Sequence, residues 1–182
     1  MKEISLNILD ITQNSVVAGA SLIEIKIEED TKADFLRFSI KDNGCGMDEE
    51  FLKNVINPFT TKRTTRKVGL GIPLLKLAAE NADGGIDIKS KVGVGTEICA
   101  WFRHSHIDRQ PLGNMADTMF TLITSNTKPD FEYVHKYNDK EFKVSTREMK
   151  EILGGVPLNN IEVSGWLSDF LKEGESELYK DS

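Results

Sequence analysis

Cysteine is scarce in this chain. Its 182 residues hold two, Cys45 and Cys99, and they do not form a Cys-x-x-Cys pair. That argues against a disulfide scaffold or a zinc site and suits a reducing, cytoplasmic setting. Long apolar runs are absent as well: no stretch approaches the ~20 apolar residues that span a bilayer, so no membrane partner is expected. The first residues, MKEISLNILD, carry acid early and no small-residue cleavage site, unlike a signal peptide. Positive charge is in deficit: 23 Lys and Arg stand against 29 Asp and Glu, a net charge of −6, most of it after residue 103. A nucleic-acid-binding domain is normally basic, so no nucleic-acid partner is expected either. Internal repeats and low-complexity segments are missing. Hydrophobic residues make up 39% of the chain, enough for a sizeable core.

What is present reads as alternating helices and strands. Ile4, Ile8 and Ile11 form a stripe at helical spacing over residues 4–18, and Gly19 ends it. SLIEIKIEED and FLRFSIKD alternate apolar and polar residues, as strands with one buried face do. A short helix near 48–56 and a loop to about Val68 follow, then LGIPLLKLAAENA starts a helix, with Pro73 tolerated in its first turn. Two strands near 85–91 and 96–103 close this part. Consecutive strands suggest hairpins, hence an α/β fold with a mixed sheet covered by helices on one face.

Residues 104–182 read as a small α+β appendage. Asn114 caps a helix bearing Met115, Met119, Leu122 and Ile123, and FEYVHKYNDKEFKV is a hairpin turning near Asn138 and Asp139. Ser145 and Glu148 make a capping box. A last helix presents Val163, Trp166, Leu167, Phe170 and Leu171 and is expected to end at Gly174. His104 and His135 read as surface residues.

Four motifs carry chemistry. Asp10 and Asn14 lie one turn apart on the first helix; an asparagine oxygen suits Mg²⁺, and the carboxylate could polarise a water against a phosphate. In DNGCGM, Asp42 can accept from an exocyclic amine, Gly44 and Gly46 allow close approach of a flat ring, and Met47 can pack on it. In PFTTKRTTRKVGLGI, the hydroxyls and cations of Thr60, Thr61, Lys62, Arg63, Arg66 and Lys67 are placed to fold over phosphates. Gly69, Leu70 and Gly71 then open a helix whose N-terminus favours an anion. In GVGT, Thr96 can reach a base. Each motif alone is common; all four in this order are hard to obtain by accident.

Together these motifs resemble the GHKL superfamily of ATP-binding domains, shared by gyrase B, heat-shock chaperones, histidine kinases and mismatch-repair ATPases. DITQNSVVAGAS is similar to the N box, DNGCGM to the G1 box, VGLGI to the G2 box and GVGT to the glycine motif after it; NPFTTK resembles the histidine-kinase lid. The resemblance covers residues 1–103. It implies a Bergerat-type two-layer sandwich holding Mg-ATP under a lid at about residues 57–70. Asn14 would hold Mg²⁺, Asp42 the adenine amine, and Gly44, Gly46, Gly69 and Gly71 would line the site. Asp10 stands where hydrolysing members have a glutamate. Being one methylene shorter, it implies slow hydrolysis at most. Phosphotransfer to a partner protein and ATP-gated binding of a partner both fit; a homodimer is left open.

One further stretch, SHIDRQPLGNM, resembles the phosphoacceptor box of sensor histidine kinases in the spacing of His106, Arg109, Pro111 and Leu112. Ile107 replaces the usual acidic neighbour, and Pro111 precedes the next helix. His106 is therefore expected to be a linker residue, not an acceptor.

Overall fold

In the computed structural model, residues 3–56 and 71–182 are described. The N-terminal half contributes α1 (Ile4–Val17), β1 (Leu22–Asp30), β2 (Phe35–Asp42), α2 (Glu49–Ile56), α3 (Gly71–Asn81), β3 (Gly85–Lys91) and β4 (Gly95–Arg103). The remainder contributes α4 (Met115–Ser125), β5 (Asp130–Tyr137), β6 (Lys140–Ser145), α5 (Thr146–Leu153) and α6 (Ile161–Leu178). All six strands form one sheet in the order β3-β4-β2-β1-β5-β6. Among the described residues, the β1–β5 pair is parallel and the other four pairs are antiparallel. The segment after residue 103 thus extends the same sheet.

Alternation decides which face is covered. Ile23, Ile25 and Ile27 of β1 and Leu36, Phe38 and Ile40 of β2 are buried, while the residues between them are half-buried or exposed. The buried row meets Ile4, Ile8 and Ile11 of α1, Leu75 and Ala79 of α3, Met119 and Leu122 of α4, and Leu167 and Leu171 of α6. Each isoleucine, leucine, phenylalanine or methionine among these contributes ~1.5–3 kcal/mol on burial. The opposite face carries exposed charged side chains such as Lys26, Lys41 and Glu97.

Two expectations are overturned in the C-terminal half. α6 does not end at Gly174; it runs on to Leu178. A Cβ at Gly174 would enter the ring of Phe142 on β6, so this glycine serves close helix–sheet contact, not termination. His135 is not a surface residue: it is fully buried, and His104 is mostly buried. His135 Nε2 lies 2.9 Å from Glu29 Oε2 on β1, and its Nδ1 lies 2.7 Å from Glu175 Oε2 on α6. Tyr133 donates to Glu175 at 2.5 Å, Tyr179 donates to Glu29 at 2.6 Å, and His104 Nε2 lies 3.4 Å from Glu29. Burial alone would lower the His135 pKa, but two facing carboxylates raise it to about 9. Burial would raise Glu29, but hydrogen bonds from His135 and Tyr179 hold it below its ordinary value. Parity in the sequence puts His135 on the same face as Phe131 and Tyr133; only the fold supplies its two acids.

The stretch SHIDRQPLGNM is a strap. At its start, Asp34 accepts from Ser105 N (2.8 Å), Ser105 Oγ (2.7 Å) and Arg103 Nε (3.0 Å). The Ser105 hydroxyl and the Arg103 guanidinium hold the Asp34 carboxyl down to about 2. At its end, the carbonyls of Pro111 and Leu112 accept from Ile4 N (3.0 Å) and Ser5 N (2.7 Å). The first turn of α1, which has no side-chain cap, is satisfied by this strap.

Candidate functional site

The far end of α1 meets the end of β2. Ser15 Oγ donates to Asp42 Oδ2 at 2.6 Å, and Gly44 N donates to Asp42 Oδ1 at 2.9 Å. Cys45 N donates to the Ala18 carbonyl at 3.0 Å. Both oxygens of the half-buried Asp42 carboxylate are thereby oriented, and each keeps a lone pair for a further donor. Asn43 turns the other way and accepts from Ser21 N (2.8 Å) and Leu22 N (3.0 Å), fixing the start of β1.

The β3–β4 hairpin closes on the same loop through Ser90. The Ser90 hydroxyl accepts from Met47 N at 2.8 Å and lies 2.7 Å from Thr96 Oγ1. Thr96 is the ladder partner of Asp42. Gly93 N donates to the Cys45 carbonyl at 2.8 Å. Gly46 (φ +74°) and Gly95 (φ +141°) are in conformations that side chains disfavour. A Cβ would strike the Lys91 carbonyl at the first and the Asp42 carbonyl at the second. The glycines bring three backbone segments together beneath a carboxylate aimed by its neighbours.

The residues expected from sequence divide into four groups. Asp42, Gly44, Gly46, Met47 and Thr96 converge here; Met47 is half-buried and packs against the core. Asp10 and Asn14 are exposed on α1, with Asn14 adjacent to Ser15; neither side chain has a hydrogen-bond or ion-pair partner among the described residues. Gly71 opens α3, which packs beside α1. Thr60, Thr61, Lys62, Gly69 and Leu70 lie outside the described residues.

Sequence reading missed Ser15 and Ser90. Ser15 is a buried polar residue on a helix face that otherwise packs, and that is the signal it offered. Thr12, three residues earlier, is fully buried, and its Oγ1 is the buried side-chain polar atom without a hydrogen-bond partner among the described residues. Beside the Ser15–Asp42 pair, an unspent hydroxyl fits a site completed by a bound group or water.

The sequence profile of the histidine kinase-, DNA gyrase B- and HSP90-like ATPases matches residues 1–106. The chain belongs to this family. A putative sensor protein of Shewanella frigidimarina is 44% identical over 61 residues, 33% of this chain and 9% of that protein. The sensor histidine kinase YvrG of Bacillus subtilis is 30% identical over 94 residues, 50% of this chain and 16% of that protein. The sensor protein kinase FleS of Pseudomonas aeruginosa is 35% identical over 89 residues, 49% of this chain and 22% of that protein. The chain thus spans less than a quarter of the length of each. Among solved structures, the N-terminal domain of a DNA repair protein aligns with all of this chain and 58% of its own, with TM-score 0.55 and 13% identity. That likeness speaks for the fold alone. The family match ends just past β4, so α4 to α6 lie outside it. Among the described residues, no group of three or more His, Cys, Asp or Glu could hold a metal, and no helix is long and apolar enough to cross a membrane.

Proposed function

We propose that this histidine kinase-like ATPase chain binds Mg-ATP between α1 and the Asp42 loop and works on a partner protein, as a phosphotransferase or slow ATPase in cytoplasmic signalling. The observation that carries the reading is the Asp42 carboxylate, oriented by Ser15 and Gly44 above a glycine-lined loop. A carboxylate so held accepts from an exocyclic amine, as adenine requires. Thr96, on the neighbouring strand, stands ready to contact the base.

Asn14 supplies one hard oxygen. Mg²⁺ takes few protein ligands and completes its shell with waters and phosphate oxygens, so a single asparagine suits it better than a carboxylate cage. When bound, the metal would neutralise phosphate charge. Asp10, one turn away, would orient or deprotonate a nucleophile. Thr60, Thr61, Lys62, Gly69, Leu70 and Gly71 are proposed as the phosphate-facing group on sequence grounds.

A second reading, a non-catalytic ATP- or ADP-gated binding module, draws on Asp10 itself, which is short and unsupported by neighbouring side chains. Labelled phosphate separates the two. The pure chain is incubated with gamma-labelled ATP, with and without a lysate of its source. Labelled protein or released phosphate is expected; ATP binding without either favours the gated module. If calorimetry detects no binding of ATP or ADP in the presence of Mg²⁺, both readings are wrong.

A further inference from the structure

Among the described residues β3 is an edge strand, and its exposed side offers a self-complementary pattern. On the uncovered face of the sheet, Asp87 and Lys89 project with side chains 56% and 76% exposed. Their mutual ion pair is a loose 3.8 Å within the strand. On the helix face, Ile86 and Ile88 are only half-buried, although the β4 residues opposite them, Ala100 and Ile98, are buried. An edge with unpaired backbone groups and half-covered isoleucines is a template for another strand.

We propose that this edge pairs with β3 of a second copy of the chain. The strands would run antiparallel about a twofold axis through Ile88, giving one sheet across the dimer. Directly opposite residues in an antiparallel pair share a face, so a register shifted by one residue would set exposed residues against core residues. That leaves registers centred on a residue. Centring on Asp87 or on Lys89 stacks that charge on its own copy, which destabilises the pair. Centring on Ile88 sets Asp87 against Lys89 of the second copy, twice, and Ile88 against Ile88.

The same register solves a second feature. Trp101 is 40% exposed, and its ring lies over Gly85, where a Cβ would approach the ring to 2.8 Å. Gly85 leaves the tryptophan face reachable from the sheet edge. The twofold axis delivers Lys91 of the second copy opposite Gly85. Lys91 has no ion pair among the described residues, and a lysine ammonium over a tryptophan face is attractive. One register thus satisfies two unrelated surface features. The other edge, β6, is less available: Glu141 is already shared by Lys136 (3.5 Å) and Lys143 (3.1 Å). Phe142 of that strand is covered by Phe170 and Gly174 of α6.

The interface is short, so a weak dimer is expected and the measurement is sedimentation equilibrium of the full chain up to millimolar concentration. Asp87→Lys and Lys89→Asp should each raise the dimer dissociation constant roughly tenfold or more, by placing like charges opposite each other twice. The double reversal Asp87→Lys with Lys89→Asp should restore it to within about threefold of the parent, since the pairs are re-formed in mirror order. Glu141→Lys should leave it unchanged. A parent that stays monomeric throughout overturns the proposal. So do a double reversal that stays as weak as the singles and a dimer that only Glu141→Lys dissociates. Circular dichroism and melting of each variant report whether a change reflects misfolding, and the isoelectric double reversal keeps net charge out of the comparison.

Discussion

Ser15 Oγ reaches Asp42 Oδ2 at 2.6 Å and so ties the helix that carries Asp10 and Asn14 to the carboxylate at the end of β2. The proposed metal-facing and base-facing parts of the nucleotide site are thereby joined through one hydrogen bond. Below it, the strap ending in Pro111 and Leu112 holds the other end of the same helix.

Asp42→Asn replaces a charge-assisted hydrogen bond by a weaker one of mixed polarity. Such bonds contribute ~1.5–3 kcal/mol. ADP affinity should fall roughly ten- to a hundredfold. Ser15→Ala keeps the charge and loses only its orientation, so a smaller loss of roughly fivefold is expected. Calorimetry giving the parent affinity for Asp42→Asn would remove the adenine assignment.

Asp10→Asn should abolish any ATP turnover while nucleotide affinity stays close to the parent. Asn14→Ala should weaken binding in Mg²⁺ but have little effect on ADP binding in chelator. Both side chains are exposed and unpartnered, so neither change should lower the melting temperature appreciably. Full turnover by Asp10→Asn would place the chemistry on another group.

His106 is expected to carry no phosphate. Its Nδ1 accepts from Asp108 N at 3.1 Å, and its Nε2 lies 3.7 Å from Asp83. β4 starts beside Asp42 and ends beside Phe35, and His106 lies past that far end. Seven residue steps of strand separate the two ends, about 23 Å. In-line transfer requires near contact, and His106 lies past the end of the sheet away from the proposed base-binding Asp42. His106→Ala should bind ATP like the parent and leave any protein labelling unchanged. Acid-labile phosphate that disappears in His106→Ala would reverse this conclusion.

The His135 network predicts a stability window in pH. His135 is raised from 6.5 to about 9 on folding, so its contribution is complete below about pH 6.5 and is lost as pH rises through about 9. Glu29 is lowered from 4.5, so its contribution is present above that value and is lost as pH falls through its depressed folded value. Melting temperature should therefore be highest between these limits. His135→Leu leaves Glu29 and Glu175 facing each other without the imidazolium and should cost ~3–5 kcal/mol at neutral pH. It should also flatten the alkaline limb. A His135→Leu protein with the parent's alkaline profile would show that another group sets that limb.

Much of the fold was legible from local pattern. The Ile4, Ile8 and Ile11 stripe, the alternation of Ile23, Ile25 and Ile27, and the Asn114 and Ser145 caps depend on residues a few positions apart. Their period is set by helix and strand geometry. The glycines of DNGCGM and GVGT were legible for a similar reason: a left-handed backbone or a close approach leaves a mark in residue type. What tertiary structure decided was which distant groups meet. Parallel pairing of β5 with β1 turned His135 from an apparent surface residue into the centre of Glu29 and Glu175, partners 106 and 40 positions away. Close packing on Phe142 gave Gly174 a role opposite to the helix stop its residue type suggested. Ser15 and Ser90 acquired their roles only when α1 and the β3–β4 hairpin closed on one loop. Local periodicity follows from covalent geometry and is written along the chain. The partner of a buried polar atom follows from the packing of the whole sheet, and no interval in the sequence encodes it.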